Sequence, residues 1–220
     1  MINKILSILY KDFKIEISQS HLFFSVGLYV ISSIYIIYIS YQPTGILSSE
    51  HWISIFWVII LFSSISAVSK SFFQESGNRN YYYYYVLSAD ELIISKLIYN
   101  FLFIVFVTLL TFVFFTFLLG NFIISYSFFL LLLLIGSLSI SNCLTLISAI
   151  GHQVKNNSIL ISILSFPVII PILILLIKLS KIASSEFSWN LVQTDIYLLI
   201  LLNIILIALT KILFNFLWRN

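Results

Sequence analysis

The residues that most often catalyse reactions or bind metals are scarce in this chain and form no recognised motif. Its histidines, His21, His51 and His152, and its one cysteine, Cys143, are far apart in the sequence. The patterns HExxH and GxSxG are absent, and no lysine directly follows a glycine, which excludes the phosphate loop GxxxxGK[ST]. The sequence therefore predicts no catalytic residue, no metal site and no ATP hydrolysis by this chain alone.

One segment, from Lys70 to Lys96, is rich in charged and aromatic residues. Aromatic residues and arginine concentrate at protein interfaces, where a ring is buried while its polar group stays paired. The candidate docking residues in this segment are Phe72, Phe73, Glu75, Arg79, the tyrosine run that begins at Tyr81, Asp90 and Glu91. Composition alone leaves open the alternative of an aromatic belt at the lipid headgroups.

Two prolines, Pro167 and Pro171, stand four residues apart in the middle of a long apolar run. Each removes a backbone donor, so the carbonyls of Ile163 and Pro167 lose their helical partners. The pair predicts a bend that exposes polar backbone to a cavity or to a neighbouring helix. A purely structural kink is the alternative.

The elements that hold these residues follow from composition. Of 220 residues, 61% are hydrophobic and only 9% are charged, whereas a soluble domain carries about 25% charged residues. Six apolar runs, of which only the last contains a charge, Lys211, are long enough to cross a bilayer as helices. They are approximately Leu22 to Tyr41, Trp52 to Ser69, Leu97 to Leu119, Phe122 to Ile150, Ser158 to Ile177 and Ile196 to Trp218. The sequence predicts one all-α membrane domain over residues 1–220, in which the long fourth run is a single span that either tilts strongly or has an interfacial lead-in near Tyr126.

Polar residues inside these runs are mostly small. Ser63 and Ser64 in the second run, and Gly136 and Ser137 in the fourth, predict close helix packing. No Asp or Glu lies in mid-run, which argues against a proton-coupled transporter.

Residues 1–20 predict an amphipathic helix at the membrane surface. Its apolar residues fall on one side of a helical wheel, and Lys4, Lys11 and Lys14 fall on the other. A passive membrane anchor and a mechanical role are both open.

Orientation follows from the cations, because Lys and Arg near span ends are retained on the cytoplasmic side. A cytoplasmic N-terminus puts nine of these residues on that side and leaves only Lys178 and Lys181 outside. Both termini are then cytoplasmic. Lys211 lies two helical turns before Trp218, about 10 Å, so we expect it to reach the inner interface as an anchor rather than to line a transport path. A net charge of +3 is too small for nucleic-acid binding.

The order of these parts resembles the CcmB family, the haem exporter permeases of bacterial cytochrome c maturation. The resemblance rests on K-D-F-K at 11–14, six spans, an F-x-x-E-x-x-G-like segment before the third span, and L-S-F-P-x-x-I-P in the fifth. It adds positions to those chosen above: Asp12, Gly77, Leu87, Lys96 and Phe166. The chain departs from the family in lacking a second acidic residue soon after Gly77 and a proline shortly before Lys96.

The resemblance implies an ABC-2-like permease half in the bacterial inner membrane, with 70–96 as the segment that couples it to a separate ATPase subunit, which is CcmA-like. It also implies a CcmC-like haem-handling subunit, a small CcmD-like subunit and a CcmE-like periplasmic haem chaperone. ATP would be bound by the ATPase and haem handled by the complex. Since Trp52, Trp57, Trp189 and Trp218 are dispersed, we expect this chain to bind no haem by itself.

Two other functions fit part of the pattern. An ABC-2 exporter permease for a lipid or a drug-like amphiphile would share the surface helix, the six spans and the charged inner loop. A lipid-modifying enzyme would need paired carboxylates facing a headgroup, and only Asp90 and Glu91 are adjacent on the inner face.

Overall fold

A computed structural model describes residues 2–18, 21–42, 47–73, 88–151, 157–185 and 188–218. Within these ranges all regular structure is helical, which confirms the predicted fold class. The helices are α1 (Ile2–Ser18), α2 (His21–Tyr41), α3 (Ser49–Phe73), α4 (Ala89–Leu119), α5 (Tyr126–Gly151), α6 (Asn157–Ala183) and α7 (Trp189–Trp218). In the described part of the chain, the helices α2 to α7 are long and apolar enough to cross a membrane, so six spans are confirmed.

Two spans begin earlier than the uncharged runs predicted. Helix α4 starts at Ala89 rather than Leu97, and α7 starts at Trp189 rather than Ile196. The sequence boundaries were set by the first charge, but Lys96 and Asp195 are paired inside the bundle and do not end their helices. The one continuous helix from Tyr126 to Gly151 confirms a single fourth span.

Helix α5 is the centre of the bundle. It packs against α3, α4, α6 and α7, and 72% of its span is buried, compared with 17% for α2 at the periphery. Small side chains allow this close approach. At Gly136 an added Cβ would lie 2.5 Å from Cη2 of Trp57, so a tryptophan of α3 occupies the space that any larger residue would need. The predicted small-residue packing is confirmed at this contact.

Helix α6 continues through both of its prolines, from Asn157 to Ala183. Pro167 and Pro171 are exposed on its outer side, and Phe166 is 39% exposed, while Ser165 is fully buried. The prolines therefore do not end the helix, and the predicted bend stays a prediction.

Candidate functional site

A buried ionic group joins α1 to the beginning of α4. The Lys96 ammonium lies 3.0 Å from Oδ2 of Asp12, and Lys11 lies 3.0 Å from the other carboxylate oxygen. Lys96 is 2% exposed and Asp12 is 7% exposed. An ion pair so far from water holds its partners firmly, because losing either one leaves a buried charge without compensation.

Aromatic rings surround this pair. Nζ of Lys96 lies 6.0 Å from the ring centroid of Tyr99, within the range of a cation–π contact. Phe13, the residue after Asp12, meets the same ring edge-on with centroids 5.3 Å apart. The rings exclude water from the ion pair on the side of α4.

The local sequence explains why α4 begins where it does. The Ser88 hydroxyl accepts a hydrogen bond from the Glu91 backbone N–H, and the Glu91 carboxylate accepts one from the Ser88 N–H. This capping box satisfies two N–H groups that a helix start otherwise leaves unpaired. The Glu91 carboxylate also lies 3.9 Å from the Lys4 ammonium of α1, so the first turn of α4 makes a second ionic contact with the N-terminal helix.

Helix α7 reaches the same end of the bundle. The Asn215 side-chain amide donates a hydrogen bond to Asp90 over 3.0 Å. We call this end, defined by Asp12, Lys96, Asp90, Glu91 and Asn215, the ionic end. Three helices that are distant in sequence meet there through polar contacts.

A polar seam leads from the ionic end into the bundle. Asn100 of α4 donates a hydrogen bond to Thr145 of α5, and farther along α4 the hydroxyl of Thr108 lies 3.0 Å from that of Ser137. On the other side of α5, four groups of α5 and α7 connect through buried amides: Asn142 donates to Asn203, and Asn203 donates to Ser139 and to the Leu199 carbonyl. The seam keeps α4, α5 and α7 in register.

The opposite end of the bundle is built from rings. Trp52 packs against Phe56, Phe115, Phe122 and Phe129, with ring centroids between 4.9 and 6.4 Å apart. Its indole N–H donates to the Gly120 carbonyl over 3.1 Å, which ties the start of α3 to the end of α4. We call this cluster the aromatic end.

The two lysines predicted to lie outside are at the aromatic end, and both have acidic partners. Lys178 contacts Asp195 at 2.7 Å, and Lys181 contacts Glu50 at 3.1 Å. The charges of these two lysines are therefore balanced by those of the two carboxylates.

The comparison with known families decides the relationship. The family model described as CcmB protein matches residues 3–216, nearly the whole chain. This chain belongs to the CcmB family. Comparison with curated proteins and with solved structures gives no significant match. Membership makes the chain a multi-pass membrane permease of the Ccm ABC transporter system, which acts with an ATPase partner on haem during cytochrome c maturation.

Three residues of the CcmB resemblance meet at the ionic end. Asp12 and Lys96 form its central ion pair, and Lys11 joins them. From the sequence, Asp12 and Lys11 were assigned to the surface helix and Lys96 to the docking segment. Their contact across 84 residues of sequence was not predicted. Lys14 is exposed on α1.

The other docking candidates are described to different extents. Phe72 and Phe73 form the end of α3, but their side chains lie outside the described residues, as do Glu75, Gly77, Arg79, Tyr81 and Leu87 entirely. Asp90 accepts a hydrogen bond from Asn215. Glu91 accepts one from the Ser88 backbone N–H and lies near Lys4. Both carboxylates therefore contribute to contacts between helices.

Sequence reasoning missed the polar seam, although a signal was present. Asn100, Asn142 and Asn203 are isolated amides within apolar runs, and a buried amide in a membrane needs a partner. In the described part of the chain no three His, Cys, Asp or Glu residues are grouped as metal ligands.

Proposed function

We propose that this CcmB-family chain couples ATP hydrolysis on a CcmA-like subunit to release of a haem-loaded, CcmE-like periplasmic chaperone. The observation that carries the proposal is the buried pair of Asp12 and Lys96. Lys96 is the last residue of the predicted docking segment, and Asp12 lies on the N-terminal helix. A displacement of the segment by the ATPase therefore acts on α1 and α4 together.

The path from the docking segment into the membrane runs along α4. Glu91 and Lys96 connect the beginning of this helix to α1, Asp90 connects it to α7, and Asn100 connects it to the central helix α5. Coupling needs contiguous contacts between elements that move as units. These contacts supply such a route without any catalytic residue in the chain.

The proposal includes the partners and the location. The chain acts in the bacterial inner membrane with both termini in the cytoplasm, beside a CcmC-like haem-handling subunit and a CcmD-like accessory subunit. Haem is held by the complex rather than by this chain alone. Trp52 and Trp57 are fully buried and donate their N–H groups to Gly120 and Ser180.

The prolines of α6 belong to the same proposal. Pro167 and Pro171 leave carbonyls without helical donors on an exposed side of the helix, which lets α6 bend when the ATPase closes. Replacing both by alanine restores the backbone bonds. We expect the complex to assemble, and haem to accumulate on the chaperone without reaching apocytochrome. A normal cytochrome c yield at a normal level of complex would remove the bend from the mechanism.

Co-purification of the ATPase tests the docking segment directly. We expect Glu75→Lys to lower the amount of CcmA-like subunit recovered with the tagged chain in mild detergent. The reversed charge leaves the new lysine and the ATPase group that Glu75 contacts without an opposite charge. Glu50→Lys is the matched control, since it makes the same change at an exposed position of the aromatic end. Its ATPase recovery should equal that of the wild type.

The outcome separates docking from folding. Reduced ATPase recovery with Glu75→Lys, at an unchanged yield of the chain, supports the segment as the docking site. Undiminished recovery with both Glu75→Lys and Arg79→Glu would exclude it.

A further inference from the structure

A lipid-facing groove opens between α4, α5 and α7 on the half of the bundle that contains the ionic end. Its volume is about 330 Å³, and apolar side chains such as Ile94, Ile98 and Phe101 form most of its wall. Two polar residues complete it, Lys211 of α7 and Asn142 of α5. The groove is thus apolar along most of its wall and has one cation, Lys211, at its edge.

Among the lysines whose side chains the structure describes, only Lys14 and Lys211 have no carboxylate within 4 Å, and Lys14 lies on α1 rather than inside a span. Asp12 pairs with Lys96 and Lys11, Asp195 with Lys178, and Glu50 with Lys181. Lys211 is exposed inside a span of high hydropathy, and no carboxylate of the described residues lies within 4 Å of it. The nearby acidic residue on the facing helix, Asp90, accepts its hydrogen bond from Asn215 instead. An ammonium group at this depth is stabilised by an anion.

We propose that the groove binds one membrane phospholipid with an anionic headgroup, whose phosphate is held by Lys211. From Ile94 to Phe101 the groove wall covers about 10 Å along the helix, which is comparable with one leaflet of hydrocarbon, about 15 Å. An acyl chain matches the apolar wall. The phosphate supplies the negative charge that Lys211 lacks within the protein.

The chemistry selects a lipid over a free anion. Inorganic phosphate would pair with Lys211 but would leave the apolar wall unfilled, and a neutral lipid would fill the wall without pairing the ammonium. Only an anionic amphiphile both pairs with the Lys211 ammonium and fills the apolar wall.

Lipid retention tests the site. The full chain is equilibrated in nanodiscs of phosphatidylglycerol and phosphatidylcholine in equal amounts, then extracted in mild detergent, and the lipid retained per protein is measured by native mass spectrometry. We expect Lys211→Gln to lower retained phosphatidylglycerol about fivefold, as for loss of one cation near an anionic lipid surface. Lys211→Arg should retain it. Lys14→Gln removes an exposed cation of α1 without touching the groove, so it should lower retention less than Lys211→Gln.

A second pair of variants tests the groove while the charge is kept. Ile98→Trp fills the wall, and Leu102→Trp is its control, because Leu102 is exposed one turn away on α4 and does not line the groove. Loss of phosphatidylglycerol with Ile98→Trp and not with Leu102→Trp supports the site. Three results would each overturn the proposal. The first is equal phosphatidylglycerol retention by Lys211→Gln and the wild type, and the second is a loss with Lys211→Gln but none with Ile98→Trp. The third is displacement of the lipid by excess inorganic phosphate.

Discussion

The two ends of the bundle are held together by different physics. At the aromatic end, Trp52 and its neighbouring rings are fully or largely buried, and their packing depends on shape and dispersion. At the ionic end, Asp12 and Lys96 are equally buried but depend on each other's charge. Small shifts in ring packing lower the stability by small amounts, whereas loss of one partner of a buried ion pair lowers it strongly.

This difference matches what each end has to do in the proposed mechanism. An end that receives force from another subunit needs firm connections between helices that are distant in sequence, and the ionic end connects α1, α4 and α7. The aromatic end connects α3, α4 and α5 with a packed core. It resembles a fixed support around which the rest of the bundle can move.

The largest effect is expected at the ionic pair. Lys96→Met leaves the buried Asp12 with Lys11 alone and should lower the free energy of unfolding by about 3 kcal/mol or more. Adding Asp12→Asn should recover part of that loss, because neither partner is then charged. Thermal unfolding in detergent measures both variants, with Lys14→Met at an exposed position of α1 as the control. A double variant less stable than Lys96→Met would contradict the pairing.

The next effect is expected where α5 meets the tryptophans. Gly136→Ala places a methyl group against Trp57, whose N–H is held by Ser180 of α6, so the ring cannot move freely. Overpacking of this kind costs about 2 kcal/mol. The control is Gly27→Ala, since a Cβ at Gly27 meets nothing within 4 Å. If both variants unfold at the same denaturant concentration, the contact is looser than described.

A smaller effect is expected from the hydrogen bond that closes the aromatic end. Trp52→Phe keeps a ring in the cluster but removes the donor to the Gly120 carbonyl. The expected loss is about 1 kcal/mol. Thermal unfolding in detergent compares this variant with the wild type. Equal stability of the two proteins would show that the cluster is held by packing alone.

The smallest effect is expected for the second ionic contact of α1. Lys4 is mostly exposed and lies 3.9 Å from Glu91, so Lys4→Gln should change the stability by less than about 0.5 kcal/mol. A loss as large as that of Lys96→Met, in the same unfolding measurement, would mean that the ionic end depends on its rim rather than on its buried pair.

The sequence predicted the elements well because membrane spans follow from length and apolarity alone. All six spans were found, and Gly136 was identified as a packing position. The start of α4 was misplaced, because a charge such as Lys96 ends an apolar run but does not end a helix when a partner is buried beside it. That partner, Asp12, is 84 residues away. No local pattern indicates which of the eight acidic residues it would be.

The family resemblance identified Asp12 and Lys96 as important without showing why. Their pairing required the tertiary structure, as did the connection of Asn100 to Thr145 and of Asn142 to Asn203. Each amide was visible as a polar residue in an apolar run. Its partner lies on another helix. Which helix that is depends on how each helix is rotated about its axis, and a helix that is apolar on every face does not specify this rotation.

We propose that the ionic end faces the cytoplasm, where the ATPase binds, and that the aromatic end faces outward. Cysteine labelling tests this most directly, because the chain's one native thiol, Cys143, is fully buried. An impermeant thiol reagent added to intact spheroplasts should label Ser185→Cys, beside the end of α6, and should label Ser76→Cys only after the membrane is permeabilised. Labelling of Ser76→Cys with protection of Ser185→Cys in intact spheroplasts would invert the orientation and contradict the account.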